Sequence, residues 1–255
     1  MAAKLSIITI TFQAEKFLER TIQSIVEQGH RSSIEYLLID GASTDGTHQI
    51  ITKYQASIDQ FISEKDHGIY DAMNKGLQRA TGDYVLFLNA GDAFATPKTL
   101  NNLLLVLDKN PDVVAGDALF VNMQGQEIGL RSQVTPHQIP DKLTWKSFKR
   151  GMVICHQSFI VKRDIAPRFN LEYQLSSDID WEIKSLKLSK KTIQFTDPIC
   201  RYLMGGASVQ NLKKSWIERF QVMQRHFGLL ETILAHGWIV FRGIAFALRN
   251  GGKYW

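Results

Sequence analysis

Along the first 120 residues, short apolar runs alternate with stretches in which apolar positions recur every three or four residues. LSIITITF (5–12) is apolar and β-branched and predicts a buried strand. Residues 15–28 then place Leu18, Ile22, Ile25 and Val26 at helical spacing. EYLLID (35–40) predicts a second strand that ends at Asp40, in the turn GASTDGT. A helix over 47–58, a strand QFISE (60–64) and a helix over 68–80 follow. The last of these puts Ile69, Ala72, Met73, Leu77 and Ala80 on one face despite Gly76. GDYVLFLNA (82–90) is the fourth strand. Alternation of this kind with short connections predicts an α/β domain whose sheet is mostly parallel and covered by helices on both faces. In such sheets ligands bind beyond the carboxyl ends of the strands. Asp40, Asp66 and Asp92 each fall just after a predicted strand, so all three are expected to face one crevice.

From about residue 112 the rhythm changes. DVVAGDALFV (112–121) and EIGLR (127–131) predict strands around the turn MQGQ, and an irregular connection runs to residue 150. VICHQSFIVKR (153–163) predicts another strand. SSDIDWEIKSLKLS (176–189) predicts a helix with Ser176 or Ser177 at its cap and two acids in its first turn, where the helix dipole favours them. TIQFTDPICRYLM (192–204) is expected to be extended, GGAS (205–208) to be a flexible turn, and 209–249 to be helical.

Charge divides this chain of 255 residues in two. Residues 1–128 carry 10 Lys and Arg against 16 Asp and Glu, and residues 129–255 carry 20 against 9, for the overall +5. An acidic front half does not suit nucleic acid, which needs a dominating basic face. A basic rear half suits anionic lipid headgroups or phosphate-bearing ligands, and is equally compatible with a solvated lysine-rich surface. Cys155 and Cys200 lack the spacing of a metal or redox motif and are expected to be buried free thiols in a reducing cytosol. MAAKLSIITITF lacks the apolar region and cleavage site of a signal peptide, which predicts a cytoplasmic chain starting here. No 18 uninterrupted apolar residues occur, so no bilayer span is expected.

The hydrolase, P-loop and dinucleotide fingerprints are absent, and the candidate chemistry is acidic. In Asn89-Ala90-Gly91-Asp92 a carboxylate follows a strand on a glycine turn. Such an acid can hold Mg²⁺ or Mn²⁺, which prefer one or two carboxylates together with phosphates and water; a plain turn uses the same residues. Asp40 can accept hydrogen bonds from a ribose or base. The turn before residues 68–80 offers backbone N–H groups to phosphate, while Asp71 and Lys75 are spaced as a surface pair.

Together these stretches resemble the inverting family 2 glycosyltransferases, whose fold is called GT-A. The resemblance rests on the order of SIITITFQ, EYLLIDGASTDGT, SEKDHGIYDAMNKGLQRATGDYVLFLNAGDAF, VVAGDALF, CHQSFI, LSSDIDW and MGGAS, and covers roughly residues 4–210. It is closest in look to bacterial transferases that build exopolysaccharide, colanic-acid-type or O-antigen units. It implies a GT-A domain over 1–210, with a nucleotide-binding part to about 120 and an acceptor-binding part to about 210, followed by a basic amphipathic helical tail over 211–255. Thr11, Phe12, Asp40 and Asp66 would line a UDP-, GDP- or dTDP-sugar, with Asn89, Gly91 and Asp92 in the metal motif and Asp92 as the ligand of Mn²⁺ or Mg²⁺. Asp178, with Asp180 in reserve, would be the general base. His156, Gln157 and Arg201 would meet a saccharide acceptor, on a polyprenyl diphosphate carrier, or the diphosphate. MGGAS would close over the donor phosphates.

The chain departs from the family pattern in two places. Asp40 is followed by Gly41 where many relatives have a second acid, and Asn89 and Gly91 stand where many have further acids. The processive signature Q-x-x-R-W is missing, which implies one sugar per event. A non-catalytic nucleotide-sugar-binding or scaffold subunit is the competing expectation. The tail mixes Trp216, Phe220, Trp238 and Phe241 with Lys and Arg, as helices at a membrane interface do; packing on the domain or on a second subunit is the other expectation.

Overall fold

Period-two burial along the first strands sets the architecture of this computed structural model, which describes residues 4–206 and 210–249. In β1 (Leu5–Thr11), Leu5 and Ile7 enter one apolar cluster while Ile8 and Ile10 enter another. In β2 (Ile34–Asp40), Tyr36 and Leu38 point to the first and Leu37 and Ile39 to the second. Alternate side chains of a strand leave on opposite faces, so a sheet with both faces in the core must be covered twice. The first face is covered by α1 (Leu18–Val26), α2 (Thr47–Lys53) and α4 (Thr99–Leu107). The second is covered by α3 (Ile69–Arg79) and α6 (Ser177–Leu188), whose Trp181 stacks on Phe169 at 4.9 Å.

The remaining strands are β3 (Gln60–Ser63), β4 (Tyr84–Phe87), β5 (Ala93–Phe94), β6 (Val113–Val121), β7 (Glu127–Leu130), β8 (Phe159–Lys162) and β9 (Thr192–Leu203). A short helix α5 (Arg131–Val134) follows β7, and α7 (Leu212–Phe227) and α8 (Leu229–Arg249) form the tail. The sheet order is β3-β2-β1-β4-β8-β6-β9-β5, with β7 beside β6. The first four strands are parallel as expected, and so are β6 and β9; β8 is antiparallel to both β4 and β6, and β5 to β9. The sheet is therefore mixed rather than mostly parallel. The strand β8 arrives after the irregular stretch from 135 to 158, with no crossover helix to impose a parallel direction.

Several boundaries differ from the sequence expectation. The first helix begins at Leu18, not residue 15, because Ala14 N–H donates to Thr47 Oγ1 and the chain turns there. The second stops at Lys53, and Gln55–Ser57 form a 3₁₀ turn. Residues 153–158 are not strand: His156–Ser158 form a 3₁₀ turn ahead of β8. Gly205 and Gly206 follow β9, while Ala207 and Ser208 lie outside the described residues. The tail is two helices. Of these, α8 is long and apolar enough to cross a membrane by length and composition, and nearly all of it lies outside the core. Glu231, His236 and Arg242 interrupt its apolar run.

Candidate active site

Strand register aligns the first part of the site. Thr11 pairs with Asp40, and Asp40 with Ser63, so three strands end in one row. Asp40 is fully buried and accepts from Ser43 N–H (3.0 Å), Ser43 Oγ (2.5 Å), Ser63 Oγ (2.6 Å) and His48 Nε2 (3.1 Å). Its carboxylate thus shapes the loop after β2. The surface that this loop presents is made by its neighbours: Phe12 is 62% exposed, and a Cβ on Gly41 would lie 2.6 Å from Asp66 Oδ2 and 3.2 Å from the Phe12 ring. A side chain at position 41 would have to displace the Asp66 carboxylate or the Phe12 ring. Asp66 also accepts from Gly68 N–H (2.9 Å) at the start of α3. Thr11 Oγ1 is buried without a hydrogen-bond partner. Thr11, Phe12, Asp40 and Asp66 are therefore brought together.

The second part is the turn after β4. Gly91 has φ +104°, and its N–H donates to Thr21 Oγ1 (2.9 Å) while Thr21 Oγ1 donates to the Asp92 carbonyl (2.6 Å). Arg20, one residue earlier in α1, donates to the Gly91 carbonyl. Asp92 is 4% exposed and accepts from Leu203 N–H (2.9 Å) and Gln157 Nε2 (3.1 Å). Burial pushes its pKa up to about 6, against the lowering effect of those bonds and of the nearby His156 and Arg20 charges. Asn89 Oδ1 is buried with no hydrogen-bond partner.

The third part is the start of α6. Asp178, 8% exposed, accepts from Tyr70 Oη (3.1 Å) and from Ile179 N–H (3.0 Å) on Oδ1, and its Oδ2 lies 3.3 Å from His156 Nδ1. Burial acts to raise its pKa, but the His156 bond and charge, Arg219 and the Ile179 N–H outweigh it and hold the carboxyl below its ordinary value. The other imidazole nitrogen of His156 lies 3.2 Å from Asn89 Nδ2. Adjacent residues of one 3₁₀ turn, His156 and Gln157, thereby reach both Asp178 and Asp92. Asp180, the reserve base, faces elsewhere: it is fully buried against His226 (2.7 Å) and Lys184 (2.6 Å).

Arg201 does not join His156 and Gln157. It pairs across the sheet with Ala93, its guanidinium meets Glu127, and with Arg20 it lines a separate cavity of about 250 Å³. Arg20, Thr21 and Tyr70 had no signal in the linear sequence, since each sits on an ordinary amphipathic helix far from the motif it supports. Among the described residues, no group of three or more His, Cys, Asp or Glu side chains is arranged to hold a metal ion. Cys155 and Cys200 are buried and free.

The model of the family described as "Glycosyl transferase family 2" matches residues 6–168. A "PGL/p-HBAD biosynthesis glycosyltransferase" of Mycobacterium bovis (strain BCG / Pasteur 1173P2) is 29% identical over 93% of this chain and 92% of its own length. A "putative teichuronic acid biosynthesis glycosyltransferase" of Bacillus subtilis (strain 168) is 24% identical over 87% and 89%. Among solved structures, S. aureus TarS 1–349 in complex with UDP-GlcNAc superposes with TM-score 0.72 at 18% identity, over 97% of this chain and 74% of that one. The mannosyltransferase PcManGT from Pyrobaculum calidifontis, in complex with GDP-Man and Mn²⁺, gives 0.63 at 16% identity, over 99% and 76%. The fold is GT-A-like, a mixed, curled sheet flanked by helices. With a family match over more than half its length, the chain belongs to glycosyl transferase family 2 and is a glycosyltransferase that uses a nucleotide-sugar donor.

Proposed function

We propose that the chain is an inverting, divalent-cation-dependent transferase. It moves one sugar from a UDP-, GDP- or dTDP-linked donor to a saccharide acceptor on a lipid diphosphate, in the assembly of a bacterial cell-surface polysaccharide. The observation that carries this reading is Asp178: a buried carboxylate held ionised, fixed by Tyr70 and His156, and joined through His156 to the turn that bears Asp92. Inversion needs a base on the acceptor side of the anomeric carbon, and a carboxylate of depressed pKa is ionised at neutral pH and able to take the attacking hydroxyl's proton. Phe12 and the gap at Gly41 suit a nucleotide base laid against the ring, with Asp66 beside it.

The donor set fits a hard cation that arrives with its nucleotide. Asp92 supplies one carboxylate whose charge burial disfavours, and Asn89 Oδ1 is a buried oxygen with nothing bonded to it. Mg²⁺ and Mn²⁺ bind through one or two such oxygens and complete their shells with phosphate and water. The PcManGT complex with GDP-Man and Mn²⁺ supports the same assignment. When bound, the ion supplies positive charge against the departing diphosphate. The work is done at the cytoplasmic face of the membrane, an assignment supported by the exposed apolar surface of α8 beside a basic rear half.

Release of nucleotide diphosphate from a donor panel is the test. Mn²⁺-stimulated release that EDTA abolishes, and that disappears in Asp178→Asn, is the expected result. The single acid of the metal motif favours one rival, a nucleotide-sugar-binding scaffold subunit. Donor binding without turnover, even with acceptor extract, would establish the rival instead.

A further inference from the structure

Helix α1 carries a polar stripe beside its apolar one. Thr21, Ser24 and Gln28 follow one another at intervals of three and four residues, which puts them on one side of the helix, and all three are buried or half-buried. Each directs its polar atoms at the main chain of the segment that carries Asp92. The Thr21 hydroxyl accepts the Gly91 N–H (2.9 Å) and donates to the Asp92 carbonyl (2.6 Å). Ser24 Oγ accepts the Phe94 N–H (3.2 Å) and donates to the Thr21 carbonyl (2.8 Å). Gln28 donates from Nε2 to the Thr96 carbonyl (2.9 Å) and accepts on Oε1 from the Leu100 N–H (2.9 Å). Arg20 adds a fourth side chain through its bond to the Gly91 carbonyl.

The bonds from Arg20 and Thr21 differ from the rest in what they fix. Residues 88–92 belong to no strand or helix, and β5, which follows, is two residues long. A peptide unit is planar, so a bond to its N–H or carbonyl fixes the whole plane. Gly91 N–H belongs to plane 90–91, the Gly91 carbonyl to 91–92 and the Asp92 carbonyl to 92–93. Three successive planes are therefore tied to two adjacent residues of α1. The planes on either side of the Asp92 Cα set the direction in which its side chain leaves the backbone: Arg20 holds one and Thr21 the other. Ser24 and Gln28 act farther along, at the entry to β5 and the first turn of α4.

We propose that Thr21 and Arg20 are positioning residues for the transfer: they hold the Gly91 and Asp92 backbone so that the Asp92 carboxylate is aimed at the cation that arrives with the donor. This rests on the cation-dependent reading above. Residues that orient a metal ligand without touching the metal typically change its affinity by about tenfold to a hundredfold when removed. The Arg20 charge also acts on Asp92, so the arginine variant has to keep that charge.

Mn²⁺ binding is measured directly, by electron paramagnetic resonance, on the full chain saturated with the nucleotide diphosphate that gives the largest thermal shift. Thr21→Val exchanges the hydroxyl for a methyl and should weaken Mn²⁺ by about tenfold to a hundredfold, and Thr21→Ser should restore it. Ser24→Ala is the control. It removes a bond of the same kind two residues past Asp92, so it should lower the urea midpoint as Thr21→Val does, with Mn²⁺ affinity unchanged. A merely structural role would make the two variants alike. Nucleotide affinity without metal should be equal in every variant, which also shows that they fold. Arg20→Lys keeps the charge and loses the guanidinium fork, and should weaken Mn²⁺ severalfold; Arg20 is only half-buried, so this variant decides the matter if Thr21→Val does not fold. Mn²⁺ affinity in Thr21→Val that equals wild type, or falls no further than in Ser24→Ala, overturns the proposal and leaves the cation-dependent reading intact. Unchanged affinity in Arg20→Lys does the same where Thr21→Val is unfolded. Wild type that binds nucleotide but no Mn²⁺ overturns both.

Discussion

Asn89 and Asp178 bond opposite nitrogens of one imidazole: Asn89 Nδ2 lies 3.2 Å from Nε2 of His156, and Asp178 Oδ2 lies 3.3 Å from Nδ1. An ionised carboxylate only accepts, so Nδ1 carries the proton that faces Asp178. Through this ring the turn carrying Asp92 and the helix start carrying Asp178 are fixed relative to one another.

If Asp178 takes the acceptor's proton, Asp178→Asn keeps its shape and its bond to Tyr70 but removes the base. Transfer should fall by about 10²–10⁴-fold. Nucleotide affinity, measured by calorimetry, should be unchanged. A loss of less than about threefold would put the base elsewhere.

His156→Gln should move the pH profile rather than only lower it. In wild type, burial pushes the Asp178 pKa up and the His156 bond and charge bring it below the ordinary value. Removal of the imidazole leaves burial less opposed, so the carboxyl protonates at higher pH. The acidic limb of kcat should therefore shift upward, with a greater deficit at pH 5 than at pH 8. A simple structural defect would instead depress both ends equally.

Gly41→Ala tests the nucleotide pocket. The added Cβ would collide with Asp66 Oδ2 and press on Phe12, displacing both from the row at the sheet's carboxyl edge. Stacking of a base on an aromatic ring contributes about 1–3 kcal/mol, so both Gly41→Ala and Phe12→Ala should lose about tenfold or more in affinity. Calorimetric titration of UDP, GDP and dTDP measures it, and unchanged affinity in both variants would remove the base from this pocket.

The parallel half of the sheet was legible because β1, β2 and β4 are buried on both faces and the crossover helices show apolar stripes, as at Leu18, Ile22 and Ile25. The acids at its carboxyl edge followed from the same rhythm. The second half was less legible for a physical reason. His156 and Gln157 sit in an apolar, β-branched context that reads as strand, and the turn they form is fixed by Asp92, Asn89 and Asp178, residues far away in sequence. Arg201 shows the same limit: its position in a strand says nothing of Glu127. Asp178 and Asp180 look equivalent in the sequence, and only the packing of α7, which brings His226 to Asp180, separates them.

Burial of His137 near the charges of Arg131, Arg242 and Arg219 predicts a pH-dependent stability. His137 has a folded pKa near 3, below the ordinary value of about 6.5 for the unfolded chain. Below 6.5 the unfolded state binds the proton that the folded state refuses, so stability falls as pH drops through that value toward 3 and is constant above it. Because the residue is partly open to solvent, a drop of about 2–4 kcal/mol is expected rather than the full linkage value. Urea melts at pH 7.5 and pH 4.5 should show His137→Gln losing less stability than wild type between the two. Parallel losses in both proteins would mean that the ring is protonated in the fold.

The last prediction concerns α8. Trp238 and Phe241 pack ring to ring at 5.7 Å on this helix, 48% and 62% exposed, while Glu231 pairs with Lys149 and Arg242 reaches the Arg150 carbonyl. Exposed aromatic rings on a helix that is tied to the domain suit a membrane interface. Basic residues near an anionic surface add about 1 kcal/mol each, so the wild-type chain should float with phosphatidylglycerol vesicles and less with neutral ones. Trp238→Glu combined with Phe241→Glu should abolish flotation and leave donor hydrolysis in place, since neither ring touches the site. If flotation is absent from wild type, and light scattering gives a dimer mass that the double variant halves, the face is covered by a second copy of the chain rather than by lipid.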